Sequence, residues 1–139
     1  MRNIIFDIDG TLSDPSQRLH FLENKDWDSF YEHCDEDPVI SHVSFLAQEL
    51  GKDHHIFILT GRPERVRKKT QKWLMEHCIP YDRLLMRKDR DYRPDYVIKS
   101  EMVDSLKLPI WLAVDDRDRV VKMFRDKGIL CLQCREGDY

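Results

Sequence analysis

Two apolar runs of the chain end in paired aspartates. The first, near the N-terminus, leads into Asp7 and Asp9, and the second, at 110–114, leads into Asp115 and Asp116. Aspartate is uncommon in strands, and like charges this close repel each other. Short apolar runs separated by segments of helical spacing predict alternating strands and helices, and hence a parallel sheet with helices on both faces. In such sheets ligands bind beyond the carboxyl ends of the strands, so these acids are expected at a ligand site.

The apolar patterning predicts five strands and the helices that connect them. Strand-like segments occur at about 4–6, 55–60, 83–86, 110–114 and 129–132. Helical spacing occurs at about 38–50, 63–78, 94–108 and 117–127. The segment at about 14–36 mixes aromatic and acidic residues with turn formers, which predicts a small insertion of two short helices. We therefore expect a single domain over 1–139, an α/β fold with a doubly wound, mainly parallel five-stranded sheet and a minimal cap.

Composition excludes several classes of protein. The 139 residues are 41% hydrophobic and 35% charged, with a formal net charge of −3, which is typical of a globular domain. No apolar stretch approaches the ~20 residues of a transmembrane helix, and no signal-like segment precedes the first strand. We therefore expect a cytoplasmic protein that does not bind a membrane. Cys131 and Cys134 have CxxC spacing, but without a second pair they are expected to be ordinary buried or edge residues.

Charge is unevenly distributed along the chain. Residues 1–61 carry 4 basic and 12 acidic side chains, whereas residues 62–93 carry 11 and 5. The basic block is either a solvated helix face with a loop or a surface that meets a polyanion. Within it, the loop 87–93 is either solvated or follows a nucleic-acid backbone.

Three predicted strands have polar residues at their carboxyl ends. They are followed by Asp7 and Asp9, by Thr60-Gly61-Arg62, and by Asp115 and Asp116. If these strands are neighbours, four carboxylates share one crevice, which requires a counter-charge. A hard divalent cation that prefers oxygen ligands, most simply Mg²⁺, supplies it. Each acidic pair alone could be a helix cap or a solvated loop, but the ordered set indicates a metal-dependent site.

The order of these motifs resembles the haloacid dehalogenase superfamily of aspartate-nucleophile phosphotransferases. The matching residues are Asp7-Ile-Asp9-Gly10-Thr11, Thr60 in Ile58-Leu59-Thr60-Gly61-Arg62, Lys99, and Asp115-Asp116. The chain is most similar to the 3′-phosphatase domain of phage polynucleotide kinases, because Arg18 follows at that domain's spacing and Asp95 precedes Lys99 by four residues. The sequence contains no GxxxxGK[ST] motif, so no kinase half and no 5′-phosphorylating activity are expected.

Chemistry and the resemblance together imply roles for the motif residues. Asp7 is expected to attack phosphorus and form an aspartyl-phosphate. Asp9 is expected to protonate the leaving oxygen and then to accept a proton from the water that cleaves the intermediate. Thr60, Gly61 and Lys99 are expected to bind the transferring phosphoryl group.

Other candidate residues concern the metal and the substrate. The resemblance implies that Mg²⁺ is held by Asp7, the Asp9 backbone carbonyl and Asp115, while Asp116 completes the shell through water or orients Lys99. The substrate-binding candidates are Thr11, Arg18, Gly61, Arg62 and Asp95, of which the two arginines offer fork donors suited to phosphate. Asp95 either pairs with Lys99 one helical turn away or complements the helix dipole.

The sequence therefore predicts an Mg²⁺-dependent phosphatase that removes 3′-phosphate from polynucleotide ends. Two alternatives stay open: a phosphatase of free nucleotides or other small phosphoesters, and a non-catalytic switch domain that accepts a phosphoryl group. A separate kinase or ligase partner and a homo-oligomer are both compatible with the sequence. Trp27, Phe30 and Tyr31 could stack a base, but they are interpreted as the core of the small insertion.

Overall fold

The computed structural model describes the whole chain, Met1–Tyr139, and contains one five-stranded sheet. Its strands are β1 (Asn3–Phe6), β2 (His55–Pro63), β3 (Arg83–Arg87), β4 (Leu112–Asp115) and β5 (Leu130–Gln133). The order across the sheet is β3-β2-β1-β4-β5, and every pairing is parallel. This confirms the predicted doubly wound α/β fold, with β1 at the centre.

Six α-helices surround the sheet. They are α1 (His20–Glu23), α2 (Trp27–Glu32), α3 (Ser41–Gly51), α4 (Arg67–Glu76), α5 (Asp95–Leu106) and α6 (Asp118–Asp126). Side chains alternate along β1, so Ile4 and Phe6 pack with α3 and α4, whereas Ile5 packs with α5 and α6. The two buried clusters therefore lie on opposite faces of the sheet, and the direction of winding reverses beside β1.

The local structure differs from the sequence expectation in the insertion and at the ends of elements: β2 extends to Pro63 and α4 begins at Arg67, where a helix from about 63 was expected. The segment at 14–36 contains α1, α2 and two short 3₁₀ helices, Pro15–Arg18 and Cys34–Glu36, rather than two helices alone. Gly51 is the last residue of α3, one residue beyond the expected end of that helix. Its missing side chain serves packing, because a Cβ there would lie 2.5 Å from Pro80 Cγ.

The helices of this fold are short. None of them is both long enough and apolar enough to cross a bilayer.

Candidate active site

The register of the sheet brings the predicted motifs to one edge. Phe6 of β1 pairs with Ile58 of β2 on one side and with Val114 of β4 on the other. Asp7 therefore follows the central strand directly between the ends of its neighbours. The backbone N–H of Asp7 donates to the Val114 carbonyl at 3.1 Å, which fixes the position of Asp7.

Lys99 supplies the positive charge at the centre of this edge. Its ammonium donates to Asp7 Oδ1 at 2.7 Å and to Asp115 Oδ2 at 2.9 Å, and it lies 3.4 Å from Asp95 Oδ2. Lys99, Asp7 and Asp115 are all buried. α5 positions Lys99 for these contacts, because Asp95 begins that helix and Lys99 follows one turn later on the same face.

The carboxylates of Asp7, Asp115 and Asp116 form a tight buried cluster. Their oxygens lie within 4.8 Å of one another, an arrangement that can hold a metal ion. The Thr11 hydroxyl contacts Asp7 Oδ2 at 3.0 Å and Asp116 Oδ1 at 3.4 Å. Gly10 adopts φ +89°, and a Cβ on it would lie 2.1 Å from Asp116 Oδ2. Glycine is therefore required here, because the turn after β1 passes directly against Asp116.

Burial dominates the electrostatics of this cluster. It raises the pKa of Asp7 well above its usual value, helped by the nearby Asp115 charge and opposed by Lys99. Burial also raises the pKa of Asp115, with Lys99 opposing it. The pKa of Lys99 is raised despite its burial, because Asp115 and Asp7 stabilise the ammonium form. Several acids and one lysine leave the cluster with excess negative charge.

The Asp9 side chain belongs to a different group of residues. Its Oδ1 accepts from Arg18 Nη2 at 2.5 Å and from Arg62 Nη2 at 2.7 Å. Arg18 also binds Asp37 through Nε at 2.9 Å and Nη2 at 2.7 Å. Both arginines and Asp37 are buried, with side-chain exposures of 0%. We call this group of two arginines and two aspartates the arginine–aspartate cluster.

Arg18 and Arg62, which are predicted to bind the substrate phosphate, pair with acids of the protein in this structure. Their guanidinium groups are already committed to Asp9 and Asp37, since no other buried acid balances them. Burial alone would raise the pKa of Asp9, but Arg62 and Arg18 outweigh it and hold that pKa well below its usual range. Asp9 Oδ2 accepts only one weak contact, from Arg62 Nε at 3.2 Å. That oxygen is thus the less committed one of a side chain that lines the cleft.

Asp95 contacts basic groups on three sides. Besides Lys99, it lies 3.4 Å from Arg87 Nη2 and 3.8 Å from Arg117 Nη1. A Cβ on Gly61 would lie 2.3 Å from Asp95 Oδ1, so Gly61 lets the end of β2 pass close to this carboxylate. The pairing alternative considered for Asp95 matches this geometry.

Thr60 and the basic loop complete the predicted set. Thr60 is buried, and its hydroxyl oxygen accepts from the Arg62 backbone N–H at 3.1 Å. In the loop 87–93, Arg87 donates to the carbonyls of Gly61, Asp91 and Arg93. Arg93 forms ion pairs with Asp91 and Glu101. Arg87, Asp91 and Arg93 are thus paired within the protein, whereas the exposed Lys88 and Arg90 have no ion-pair partner, so two of the four basic side chains of the loop remain available to a polyanion.

A cleft of about 430 Å³ opens above the acidic cluster. The small insertion lines it with apolar side chains, namely Pro15, Leu19, Leu22, Trp27, Phe30 and Tyr31. Trp27 is 52% exposed, so it is a cleft residue and not the core residue expected from the sequence, whereas Phe30 is buried. The C-terminal segment also reaches the cleft: the Tyr139 hydroxyl donates to Asp116 Oδ2, and Arg135 Nε lies 3.5 Å from the same oxygen.

The cysteines differ in their surroundings. Cys131 is buried in β5, whereas Cys134 is exposed and its sulfur lies 3.7 Å from Thr11 Oγ1. All four cysteines are free thiols.

Sequence reasoning did not identify three groups that belong to this site. They are Asp37, the cleft-facing Trp27, and the pair Arg135 and Tyr139 beside Asp116. Asp37 has no local signal, because it meets Arg18 from 19 residues away. Trp27 was considered as a residue that could stack a base, but the usual burial of aromatic residues favoured the core interpretation.

The fold described above is that of haloacid dehalogenase-like hydrolases, as comparison with solved structures shows. A haloacid dehalogenase-like family hydrolase from Streptococcus pneumoniae superposes with a TM-score of 0.70 at 16% identity, covering 96% of this chain and 84% of that one. A class C acid phosphatase from Bacillus anthracis with bound tungstate gives 0.69 at 17% identity, covering 99% and 68%. At these identities the likeness shows the fold alone.

A comparison of the sequence with models of protein families shows the family of this chain. The model of the polynucleotide kinase PNKP phosphatase domain matches residues 1–139, and the chain belongs to this family. A chain of the Pnkp1/Rnl/Hen1 complex superposes with a TM-score of 0.83 at 30% identity, covering 99% of this chain and 47% of that one. A second structure, of the Pnkp1/Rnl/Hen1 RNA repair complex, matches at 29% identity and covers 43% of that chain. The present chain therefore spans less than half of either of these relatives.

Proposed function

We propose that this phosphatase is an Mg²⁺-dependent phosphomonoesterase that forms an aspartyl-phosphate on Asp7 and removes 3′-phosphate from polynucleotide ends. The observation that carries the proposal is the buried Asp7, held by Lys99 and Thr11 between the ends of two neighbouring strands. The switch alternative is not retained, because the chain belongs to a family of phosphatases.

The donor set fits a hard divalent cation. Asp7, Asp115 and Asp116 offer carboxylate oxygens within 4.8 Å of one another, and Lys99 alone does not balance them. We propose these three residues, with the Asp9 backbone carbonyl, as the metal-binding set. The Asp116 side chain thereby takes a larger part than expected from the sequence, and the Asp9 carboxylate takes none. Bound there, Mg²⁺ would neutralise the cluster and polarise a phosphoryl oxygen.

In the proposed reaction a carboxylate oxygen of Asp7 bonds to phosphorus as the bond to the leaving oxygen breaks. Lys99, the Thr60 hydroxyl and the Gly61 backbone N–H stabilise the charge on the transferring group. Water then attacks phosphorus, releases inorganic phosphate and restores the Asp7 carboxylate.

Asp9 moves the proton in both steps. In the resting protein Arg62 and Arg18 keep it ionised, which suits the general base that activates water. To act as an acid for the leaving oxygen it must first be protonated, and a phosphate dianion placed beside it raises its pKa. The two arginines therefore act as positioning residues in this proposal, because they hold Oδ1 of Asp9 and leave Oδ2 with one weak contact.

The polynucleotide substrate and the partners are the finer part of the proposal. They are supported by the family and by the relatives in an RNA repair complex. We propose that the chain acts with a separate kinase or ligase that uses the end it prepares. The second candidate substrate is a free nucleotide or other small phosphoester, which the cleft of about 430 Å³ could also enclose.

A comparison of substrates tests the proposal. The rates kcat/KM are measured on a 3′-phosphorylated oligonucleotide, a free 3′-nucleotide and a 5′-nucleotide, each with Mg²⁺ and with excess chelator. We expect turnover only with Mg²⁺, and an advantage for the oligonucleotide at low salt. Asp7→Asn should lower turnover by roughly 10³-fold or more, as loss of a nucleophile does.

The control for Asp7→Asn is Asp53→Asn, an exposed aspartate outside the cleft. Full activity in chelator, or an active Asp7→Asn protein, contradicts the mechanism. Equal rates on the three substrates contradict the polynucleotide assignment and favour the second candidate.

A further inference from the structure

The apolar wall of the cleft is unusual for a site that handles phosphate. The exposed fractions of Leu19 and Trp27 are 47% and 52%, and Leu22 is half-buried beside them. All three line the same cleft as Asp7 and Asp9. Inorganic phosphate and the carboxylates need none of this apolar surface, so the wall indicates an apolar part of the molecule that carries the phosphate.

Trp27 is held in place by aromatic neighbours. Its ring lies nearly parallel to that of Tyr31, at 6.0 Å between centroids and 25° between planes, and edge-on to Phe30 at 5.8 Å. Phe30 is itself fixed under the guanidinium of Arg18, at 4.3 Å from the ring centroid. The wall is thereby coupled to the arginine–aspartate cluster, and its outer face presents one flat indole to the cleft.

The charges in the cleft complement this flat surface. Arg117 and Arg135 also line it: Arg117 lies 3.8 Å from Asp95 and 4.9 Å over the Tyr139 ring, and Arg135 lies 3.5 Å from Asp116 beside Tyr139, yet both guanidinium side chains stay partly exposed, at 37% and 41%. The flat apolar wall complements a base, and the two guanidinium groups complement phosphate. Together they match the parts of a nucleotide. The volume of about 430 Å³ lies within the roughly 300–1,000 Å³ of ligand pockets and exceeds what one phosphoryl group fills.

We propose that Trp27, flanked by Leu19 and Leu22, stacks the base of the nucleotide whose phosphate is removed, and so makes the site selective for nucleoside leaving groups. This rests on the phosphatase function proposed above and names the determinant of its substrate class. The same chemistry is available from a polynucleotide end and from a free nucleotide. Stacking on an aromatic side chain accepts any of the bases, so little base preference is expected.

The test compares substrates with and without a base. One oligonucleotide has an ordinary 3′-phosphorylated nucleotide, and its match has a tetrahydrofuran abasic residue bearing the 3′-phosphate. Wild type should prefer the first. Trp27→Ala should lower that preference, expressed as the ratio of the two kcat/KM values, by roughly 5- to 100-fold, the range of stacking contributions. The change should lie mainly in KM, because stacking persists from bound substrate to transition state.

Matched variants separate stacking from folding. Trp27→Phe keeps an aromatic face and should restore most of the preference, and Leu19→Ser should lower it by a smaller factor. Trp111→Ala is the control, because Trp111 has the same 52% exposure but lies under Arg2 at 5.2 Å, away from the cleft. It should change neither rate. A free 3′-nucleotide as third substrate shows whether the remaining chain of a polynucleotide adds to the affinity.

Fluorescence tests stacking without turnover. The chain has three tryptophans, and in Asp7→Asn/Trp111→Phe protein only Trp27 and the buried Trp73 remain. The 3′-phosphorylated oligonucleotide should quench this emission, and the abasic one should not. Equal turnover of both substrates by wild type, or equal losses on both in Trp27→Ala, overturns the stacking while leaving the phosphatase intact. If no substrate is turned over, the proposed function fails, and the quenching experiment decides the stacking.

Discussion

Asp7 and Asp9 lie two residues apart after the same strand, yet their surroundings are opposite. Asp7 shares one lysine with Asp115 in a cluster rich in acids, and its pKa is raised. Asp9 lies against two arginines, and its pKa is lowered. The arginine–aspartate cluster balances two positive with two negative charges, whereas the acidic cluster keeps an excess of negative charge. A balanced buried cluster needs no further charge, whereas the excess negative charge of the acidic cluster is relieved either by protonation, as the raised pKa of Asp7 indicates, or by a bound cation.

Removing the Asp9 carboxylate should have the largest effect on activity. We expect Asp9→Asn to show a burst of p-nitrophenol from p-nitrophenyl phosphate, because that leaving group departs with little help from an acid. Steady-state turnover should then fall by roughly 10²–10⁴-fold, since the water lacks its base. Stopped-flow absorbance measures the burst, and acid quenching traps the phosphoenzyme. An unchanged steady-state rate, or phosphate trapped at a residue other than Asp7, contradicts the division of roles.

Removing Asp37 tests whether the balance of the arginine–aspartate cluster matters. Asp37→Asn leaves two buried guanidinium groups facing one carboxylate, so we expect a loss of about 3–5 kcal/mol in the free energy of unfolding. Urea denaturation measures this loss. Asp35→Asn, two residues away and without an ion-pair partner, is the matched control and should have little effect. A stable Asp37→Asn protein would contradict the need for Asp37 in the charge balance of the arginine–aspartate cluster.

Mg²⁺ should distinguish the two clusters. At a free concentration 100 times the dissociation constant, binding to the native state stabilises it by about 2.7 kcal/mol. We expect a corresponding rise of the melting temperature in wild type and a smaller one in Asp116→Asn. Asp37→Asn should respond like wild type, since Asp37 is not in the acidic cluster. An equal response of Asp116→Asn and wild type would remove Asp116 from the metal-binding set.

The pH dependence of stability should differ in sign between the two aspartates. When folding raises the pKa of a carboxyl group, that group destabilises the folded protein as the pH rises above about 4. In chelator, Asp7→Asn should therefore be more stable than wild type at pH 7. Asp9, with a lowered pKa, contributes stability above about pH 4 that is lost in acid. Asp9→Asn should therefore be less stable at pH 7, with a gap that narrows in acid. Urea denaturation of wild type and both variants at pH 7 and in acid measures these differences in the free energy of unfolding. Changes of the same sign in the two variants at pH 7 would contradict the opposite roles of the two aspartates.

The sequence predicted the parts of this site that depend on the ends of strands. Apolar runs located β1, β2 and β4, and parallel pairing then required Asp7, Thr60 and Asp115 to meet. Lys99 was identified through the family resemblance, and its spacing of one helical turn from Asp95 agrees with the ion pair that the structure shows. Local sequence patterns therefore predict most residues of the acidic cluster.

The arginine–aspartate cluster depends on contacts that no local rule describes. Arg18 was identified, but its partner Asp37 lies beyond two helices of the insertion, and many other acids could have paired with it. Trp27 was assigned to the core because aromatic residues are usually buried, whereas α2 turns this side chain toward the cleft. Side-chain partners brought together by irregular segments depend on the whole fold.

The central position of β1 has a consequence for how the chain folds. Its residues pair with β2 about 52 positions later and with β4 about 108 positions later, as in Asn3 with His55 and Ile4 with Leu112. Contacts of such long range slow folding, and one edge of β1 stays open until β4 has been synthesised. A ribosome-bound chain that stops before Leu112 exposes that edge and lacks Asp115. Catalytic competence and protection from aggregation should therefore arise together, once β4 has been synthesised.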